Sequence, residues 1–317
     1  MHALRYDRYG GPEVMEWRTL PEPIPAAGEV SVRVRAASIN PVDIKVRQGE
    51  MKIMTGRRMP KGMGSDVAGI VERVGPGVSE LKAGDPVFGY IGFSTANSFG
   101  ELAIAKADLL VKKPEGITFE EASCLPQAGV AALQALKDKA QLRTGHHVLV
   151  VGCTGGVGQF VVMVAKALGA QVTGVCRAEQ TESAATLGCD RTIHSTNEAK
   201  QHAPNGYDVV FDTPGAMRTA QAMALLSAKG VFLDLNPKPA NLLGAFLLNP
   251  FRSRKHRPLI TAVRREDLLA LADLASRGAL RPLIGRVAPM HSAVPLLTAM
   301  ERGERSVGKT VLVNDQG

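Results

Sequence analysis

A glycine-rich stretch at residues 147–160 holds the residue types and the spacing best suited to chemistry in this chain. An apolar run ending at Val151 leads into glycines at positions 152, 155 and 158, and a helical pattern follows. The first glycine permits a tight turn, the second lets the backbone approach a pyrophosphate, and the third lets the helix pack closely on a sheet. Free N–H groups at the start of that helix then face the phosphates. The stretch predicts a dinucleotide site formed by Gly152, Thr154, Gly155, Gly156, Val157 and Gly158.

The strand that follows this turn indicates which dinucleotide is bound. An apolar run at 171–176 is the second strand that the motif requires, so a glycine turn that binds nothing is the less favoured alternative. Strands that bind NAD usually end in an acidic residue that holds the ribose 2′-hydroxyl. Here the strand ends in Cys176 and Arg177, and a guanidinium matches a 2′-phosphate through two parallel charge-assisted bonds. NADPH is the predicted cofactor; Glu179 nearby is a reservation, and a solvated arginine is the alternative for Arg177.

The hydrophobic pattern changes twice along the chain, and these changes divide the elements that must position this site into three segments. Up to residue 118, short apolar runs broken by glycine and proline predict a β-rich domain. From 119 to 282, strands alternate with helices, which is typical of a parallel sheet covered on both faces. Strands are expected at 171–176, 208–211, 230–235 and 259–263, and the tail at 283–317 is expected to return to the first domain. The predicted fold class is α/β, a doubly wound parallel sheet (Rossmann) cofactor domain plus the β-rich domain.

Charge and composition exclude several classes of protein. The net charge is +8 and the pI is about 9.4, but basic and acidic residues are mixed except in one dense run at 252–257. Because no nucleic-acid motif accompanies it, this balance favours an enzyme with a polyanionic cofactor over a nucleic-acid or membrane partner. The run itself is predicted to be a solvated loop, with an anion or membrane-surface contact, or an electrostatic lid over the cofactor, as the alternatives.

Cysteine usage and hydropathy indicate the compartment. The four cysteines are well separated and include no Cys-x-x-Cys pair, so neither a zinc knuckle nor a disulfide framework is expected. No apolar run approaches the ~20 residues that span a bilayer, and no apolar leader follows Met1. A soluble, cytoplasmic protein is expected.

The motifs occur in the order typical of one family. Besides the glycine turn, the matching segments are 37–43, 64–71 with 74–75, 128–136, 187–190, 208–212 and 308–311. Together they resemble the medium-chain dehydrogenase/reductase superfamily, nearest to its zinc-free quinone oxidoreductase (zeta-crystallin-like) branch, along nearly the whole chain. The resemblance implies that the β-rich domain is a GroES-like catalytic domain. It also implies a homodimer, in which the strands at 230–235 and 259–263 could pair edge to edge.

Three positions at which zinc-dependent members of the superfamily hold their metal carry other residues here. Those members have a Cys at the position of Asn40, a His at the position of Ser65 and a Cys near the position of Gln127. Amide and hydroxyl groups are poor zinc ligands beside thiolate and imidazole, and the structural zinc loop expected after Glu101 is also missing. No metal is therefore expected. Without zinc to stabilise an alkoxide, hydride transfer to a quinone or an α,β-unsaturated carbonyl (an enone) is favoured, because the carbonyl of the substrate delocalises the charge.

The resemblance further implies catalytic residues. Asn40 is the first candidate for a polar group lining the substrate site, and its alternative is a turn-stabilising role beside Pro41. Lys45 stands where some relatives carry a tyrosine suggested as a proton donor. Lys45, Tyr90 or water could therefore protonate the product, while Asp43 is expected to be a structural hydrogen-bonding residue.

Three more cofactor-binding residues are predicted. Asp212 and Asn236 follow neighbouring strands of the cofactor domain, at the carboxyl ends where ligands sit in open α/β sheets. Lys309 matches a family position near the cofactor, and a solvated lysine is its alternative. Three functions stay open: an NADPH-dependent reductase of quinones or enones, which leads; an enoyl reductase for thioester substrates; and a non-catalytic NADPH-binding regulator of the same fold. The sequence does not identify a natural substrate.

Overall fold

The computed structural model describes residues 1–93, 96–237, 244–245 and 247–314. In chain order its strands are β1 (His2–Tyr6), β2 (Glu16–Thr19), β3 (Glu29–Ser38), β4 (Lys61–Gly62), β5 (Asp66–Val74), β6 (Pro86–Tyr90), β7 (Leu102–Lys106), β8 (Leu110–Lys112), β9 (His147–Val151), β10 (Gln171–Val175), β11 (Arg191–Ile193), β12 (Tyr207–Asp212), β13 (Leu226–Asp234), β14 (Lys255–Pro258), β15 (Ile284–Pro289) and β16 (Lys309–Val313). Its helices are α1 (Pro41–Gln48), α2 (Lys52–Thr55), α3 (Phe119–Ser123), α4 (Pro126–Gln134), α5 (Gly158–Ala167), α6 (Thr181–Thr186), α7 (Ala199–His202), α8 (Thr219–Leu225), α9 (Arg265–Ser276) and α10 (Ala293–Glu301).

These elements form two compact units. The first comprises Met1–Gln127, Val263–Ser276 and Ile284–Gly317, and the second comprises Ala128–Ala262 and Arg277–Leu283. The grouping follows contacts rather than sequence pattern: α3 packs on β3 and β5, and α9 packs on β8, so both helices belong to the β-rich unit. The sequence pattern, by contrast, places the change of domain at residues 118 and 282. Within the described ranges, no helix has both the length and the apolar character needed to cross a membrane.

Strand β3 lies at the centre of the first unit. The large sheet has the order β15-β16-β3-β5-β6-β8, and β7 also pairs with β3. The tail enters this sheet through β16, which pairs antiparallel with β3. Residues 30–35 of β3 alternate between apolar and polar types, a pattern that predicts one buried and one solvent-facing side, yet Ser31 on the polar side is buried. Arg33 keeps the expected exposed position and forms an ion pair with Glu72.

The second unit contains a six-stranded parallel sheet within the described residues. Its order is β11-β10-β9-β12-β13-β14, which is the 3-2-1-4-5-6 arrangement of dinucleotide-binding sheets. β9 is central and almost wholly apolar, and Val148, Leu149 and Val150 are fully buried. Helix α5 returns the chain from β9 to β10 and is buried over most of its length. The predicted α/β class with a Rossmann domain is confirmed.

The edge of this sheet differs from the prediction. Residues 255–257 of the basic run lie in strand β14, whereas residues 252–254 precede it and are in no strand, so the predicted solvated loop at 252–257 is wrong only for its second half. Residues 259–263 form no strand, so the strand predicted there is wrong. His256 is buried against Phe232, with stacked rings 4.9 Å apart. Charged side chains suit an edge strand because one side of it borders solvent. The apolar run at 259–263 does not mark a strand: Leu259 is buried outside any strand, and Ile260 is exposed.

The strand pairing proposed for a homodimer is also wrong. β13 has β12 on one side and β14 on the other, so it has no free edge. At β14, the side-chain amide of Asn249 donates to the carbonyl of His256 (2.6 Å) and accepts from its N–H (2.9 Å). The outward backbone groups of the edge strand are thus already bonded within the chain at this residue.

Candidate active site

The glycine turn between β9 and α5 has the backbone geometry that its glycines predict. Gly152 has a φ of +73°, in the left-handed region that favours glycine. A Cβ at Gly158 would stand 2.0 Å from the carbonyl oxygen of Gly152, which is a backbone atom. A Cβ at Gly155 would meet that same oxygen at 3.2 Å and no other described heavy atom within 4 Å. The first and third glycines are thus required by the fold, while the second leaves an open approach to the backbone.

Unbonded donors lie at the start of α5. The N–H groups of Gly156 and Val157 have no acceptor within the described part of the chain, and both residues are half-buried. Such N–H groups at a helix N-terminus bind anions well. Thr154 is buried, and its hydroxyl donates to Oε1 of Gln180 at 2.8 Å, which ties the turn to the segment after β10. The turn therefore fits the pyrophosphate of a dinucleotide.

Arg177 follows β10 and is exposed. Its guanidinium lies 3.6 Å from the Glu179 carboxylate, and about two thirds of each side chain is open to solvent (68% and 66%). An ion pair this exposed contributes little and leaves the guanidinium available. No acid stands at the tip of the strand itself, since Cys176 precedes Arg177. The arrangement suits a 2′-phosphate better than a free 2′-hydroxyl.

Asp212 and Asn236 lie after β12 and β13, but the two side chains differ in availability. The buried Asp212 carboxylate accepts from the backbone N–H groups of Gly215 (3.1 Å), Ala216 (3.2 Å) and Met217 (2.7 Å). Burial raises the pKa of Asp212, and these three bonds oppose the rise. Its carboxylate thus shapes the loop after β12, and its predicted contact with the cofactor stays a prediction. Asn236 is exposed and donates to the carbonyl of Thr213 at 3.1 Å.

In the first unit, Asn40 lies in a buried polar network. Its Nδ2 donates to the Asp66 carboxylate at 2.9 Å and reaches the Ser38 carbonyl at 3.5 Å. Its Oδ1 accepts from Nζ of Lys309 at 2.5 Å, and Lys309 also donates to the Ile39 carbonyl at 3.2 Å. The side chains of Asn40, Asp66 and Lys309 are all buried, and Ser38 and Ile39 take part in these contacts through their backbone carbonyls. Lys309 lies on β16 of the first unit, so its predicted contact with the cofactor stays a prediction.

The network continues to the other two positions that hold zinc in the zinc-dependent members. Nε2 of Gln127 donates to Oγ of Ser65 at 2.5 Å, and Ser65 donates to Asp43 at 3.0 Å. Asp43 also accepts from the Asn40 N–H at 2.8 Å, at the start of α1. Burial raises the pKa of Asp43 to about 7, against the hydrogen bond from Asn40. Within the described residues, no three His, Cys, Asp or Glu side chains are grouped so as to hold a metal ion.

The two candidate proton donors lie in the same unit. Tyr90 ends β6 directly opposite Asp66 of β5 and stacks edge-on against Phe93 at 5.6 Å. Burial raises the pKa of Tyr90, and the charges of Asp66 and Asp43 add to the rise. Its phenol therefore keeps its proton at neutral pH, which leaves it able to donate a hydrogen bond. Lys45 lies half-buried on α1.

Several residues of these sites were not singled out by the sequence. Ser38 and Gln180 were missed, and Asp66 stood only within the matching segment 64–71. Ser38 ends β3 and Asp66 begins β5, so the signal for each was a polar residue at one end of an apolar strand. The cysteines are well separated in the sequence, but the fold brings Cys153 and Cys189 close together. A Cβ built on Gly174 would lie 2.7 Å from the sulfur of each. The Cys189 thiol and burial raise the pKa of Cys153, which indicates an inert thiol rather than a nucleophile.

Comparison with known proteins agrees with this geometry. The family models for an alcohol dehydrogenase GroES-like domain and for a zinc-binding dehydrogenase match residues 26–115 and 156–235. The chain is 34% identical over 305 residues to the chloroplast envelope quinone oxidoreductase homolog of Arabidopsis thaliana, covering 92% of each. It superposes on the structure of the quinone oxidoreductase from Coxiella burnetii with a TM-score of 0.87 at 28% identity, covering 99% of each chain. A mycobacterial protein, Rv1454c, solved in complex with NADPH, gives a TM-score of 0.83 at 26% identity and 99% coverage of each chain.

Proposed function

The chain belongs to the quinone oxidoreductase branch of the medium-chain dehydrogenase/reductase superfamily, and from this membership we propose that it is a metal-independent, NADPH-dependent reductase of quinones and enones. The observation that carries the proposal is the cofactor half-site of the second unit. There, the unbonded N–H groups of Gly156 and Val157 and the exposed guanidinium of Arg177 follow the two strands that bind a dinucleotide in this fold.

Metal independence is supported by the chemistry of the donor set. Asn40, Ser65 and Gln127 offer amide and hydroxyl groups. Gln127 donates to Ser65, and Ser65 and the Asn40 N–H both donate to Asp43. The Asn40 side chain is bonded to the charged side chains of Asp66 and Lys309. A zinc site needs thiolate, imidazole or carboxylate ligands with free lone pairs. A donor set already satisfied by hydrogen bonds has little left for a metal.

The proposed reaction needs positioning and hydrogen bonding more than acid strength. NADPH, when bound, supplies a hydride. The acceptor carbon of a quinone or an enone takes it, and the negative charge develops on the carbonyl oxygen of the substrate. Polar groups near that oxygen stabilise the charge if they are held in place beforehand, as Asn40 is by its network. We propose Asn40 as the residue that lines this site, and Lys45, Tyr90 or water as the source of the proton.

The first test measures oxidation of NADPH and NADH by the purified, chelator-treated protein with 1,4-benzoquinone or a simple enone as acceptor. Turnover that prefers NADPH and survives the chelator is the expected result. Loss of activity on chelation, restored by zinc, would contradict metal independence. Fluorescence-detected NADPH binding without turnover of either acceptor would favour the thioester substrate or the regulatory role, and an enoyl-thioester acceptor would separate those two.

We further propose a homodimer, as expected from the family. The bonds between Asn249 and His256 mean that such a dimer would need side-chain contacts, or another surface, rather than backbone pairing at His256. Sedimentation or size-exclusion analysis at micromolar concentration should give twice the chain mass of 33.6 kDa. A particle of the chain mass at that concentration would refute the dimer.

A further inference from the structure

Lys309 occupies a position that lysine rarely takes without a partner. Its side chain is 3% exposed, on the central sheet of the first unit. Burying an ammonium group is unfavourable unless it is hydrogen-bonded and balanced by charge. Nζ donates to the Ile39 carbonyl and to Oδ1 of Asn40, a residue 269 positions away in the chain. The balancing carboxylate, Asp66, is on the other side of the Asn40 amide.

We propose that Lys309 is a positioning residue that orients and polarises the side-chain amide of Asn40, rather than a residue that contacts the cofactor. The proposal rests on the proposed function, in which Asn40 lines the substrate site. It assigns to Lys309 the positive charge that a metal ion provides in the zinc-dependent members, acting through an amide instead of directly on the substrate.

The two ends of the Asn40 amide face opposite charges. Oδ1 meets the Lys309 ammonium at 2.5 Å and Nδ2 meets the Asp66 carboxylate at 2.9 Å. A flipped amide would place NH₂ against the ammonium and oxygen against the carboxylate, so both contacts would become repulsive. Only one orientation of the amide is therefore stable, and no movement is needed to hold it during a reaction.

The same contacts prepare a donor for a ligand. Withdrawal of electron density by the ammonium at Oδ1 makes the Nδ2 hydrogens stronger donors, as expected for connected hydrogen bonds in a low-dielectric interior. One of these hydrogens is used by Asp66. The other reaches the Ser38 carbonyl at 3.5 Å, the limit of a hydrogen bond, and is the easier to recruit. A carbonyl oxygen gaining negative charge is the acceptor that this hydrogen suits.

The test uses Lys309→Met, which keeps the length of the side chain and removes its charge. Lys61→Met is the matched control, because Lys61 is also buried in the first unit and, among the residues that the structure describes, donates only to the backbone carbonyl of Thr55, at 2.8 Å. At saturating NADPH, kcat/KM for benzoquinone should fall about tenfold in Lys309→Met, the size of one lost charge-assisted bond. The fluorescence-derived Kd for NADPH should stay within about twofold of the wild-type value.

A double-mutant cycle with Asn40→Ala identifies the residue through which Lys309 acts. If Lys309 works through the amide, its removal should have little further effect in the Asn40→Ala background, whereas independent roles would multiply. Lys309→Arg, which keeps the charge, should recover part of the loss. A Kd for NADPH raised tenfold with unchanged acceptor kinetics, or multiplying effects in the cycle, would overturn the proposal. Lys309→Gln replaces Lys309→Met if the latter does not fold.

A readout without turnover separates this proposal from the proposed function. In protein labelled with ¹⁵N-asparagine, the side-chain resonances of Asn40 are identified by their loss in Asn40→Ala. They should shift in Lys309→Met and stay in place in Lys61→Met. If the wild-type protein reduces no acceptor but the resonances shift, the proposed function fails while the coupling stands. Unmoved Asn40 resonances in Lys309→Met refute the coupling whether or not the protein is active.

Discussion

Replacing Arg177 with Glu is expected to reverse the cofactor preference from NADPH to NADH. The wild-type guanidinium is exposed and weakly paired with Glu179, so it can form two charge-assisted bonds to a 2′-phosphate. In the variant these bonds are lost and a carboxylate repels the phosphate, which should raise the Kd for NADPH by about 100-fold, or two tenfold steps of about 1.4 kcal/mol each. The same carboxylate can hold the free 2′-hydroxyl of NADH, so NADH binding should be kept or improved. Fluorescence titration of both cofactors measures the change.

Lys229→Glu is the control for this substitution, because Lys229 is an exposed residue on β13 of the same unit and the change in charge is identical. It should weaken binding of both cofactors slightly and equally, through the net charge alone. A similar loss of NADPH binding in the two variants would mean that Arg177 contributes only general attraction. An unchanged ratio of the two Kd values in Arg177→Glu would place the 2′-phosphate elsewhere.

The glycine turn of the second unit could be predicted from the sequence because its determinants are local. One strand, one turn and one helix contain the three glycines, and the physical demand on each is met within seven residues, 152–158. The clash of a Cβ at Gly158 with the Gly152 carbonyl is a consequence of the turn itself. Arg177 follows the next strand, and parallel strands bring their carboxyl ends to one edge of the sheet. Short-range pattern therefore predicted the strand, the turn and the helix, while the contacts of these residues with a cofactor stay a prediction.

The network around Asn40 could not be predicted in the same way, because its bonds join distant parts of the chain. Lys309 meets Asn40 across 269 positions, and Gln127 meets Ser65 across 62. Sequence pattern shows that these residues are polar and lie near apolar runs, but it does not show which of them face each other. The resemblance indicated where metal ligands are replaced, and the pairing of the replacements appeared only with the sheet register. For the same reason the partner of Lys309 was unforeseen.

Edge strands are a second place where sequence pattern fails. An apolar run predicts a strand because most strands are buried on at least one face, and 259–263 fits that rule. The actual edge, β14, is charged, and only His256 within it is fully enclosed. The outward backbone groups of His256 are satisfied by the side chain of Asn249, which no periodicity reveals. The parallel character of the sheet followed from pattern, while the position of its last strand depended on contacts at a single turn.

Replacing Gly158 with Ala is expected to abolish cofactor binding and to destabilise the second unit. The new Cβ would lie 2.0 Å from the Gly152 oxygen and 2.8 Å from the Gly152 carbonyl carbon, and backbone atoms cannot rotate away as a side chain can. The start of α5 must therefore move, which should lower the free energy of unfolding by about 2–4 kcal/mol. The N–H groups of Gly156 and Val157 move with it, so NADPH affinity should fall by roughly two orders of magnitude. Urea unfolding and fluorescence titration measure the two effects.

Gly155→Ala separates binding from stability at the same turn. Gly155 does not have a positive φ, and its Cβ would meet only the Gly152 oxygen, at 3.2 Å. Alanine should therefore change the free energy of unfolding by no more than about 1 kcal/mol, since its lower entropy in the unfolded chain offsets a small strain. NADPH affinity should still fall about tenfold or more, because the methyl group stands where the pyrophosphate approaches the backbone. If Gly155→Ala binds NADPH as tightly as the wild type, the phosphates do not pass this residue. If Gly158→Ala is as stable as Gly155→Ala, the close packing of α5 on the turn does not determine the fold of this unit.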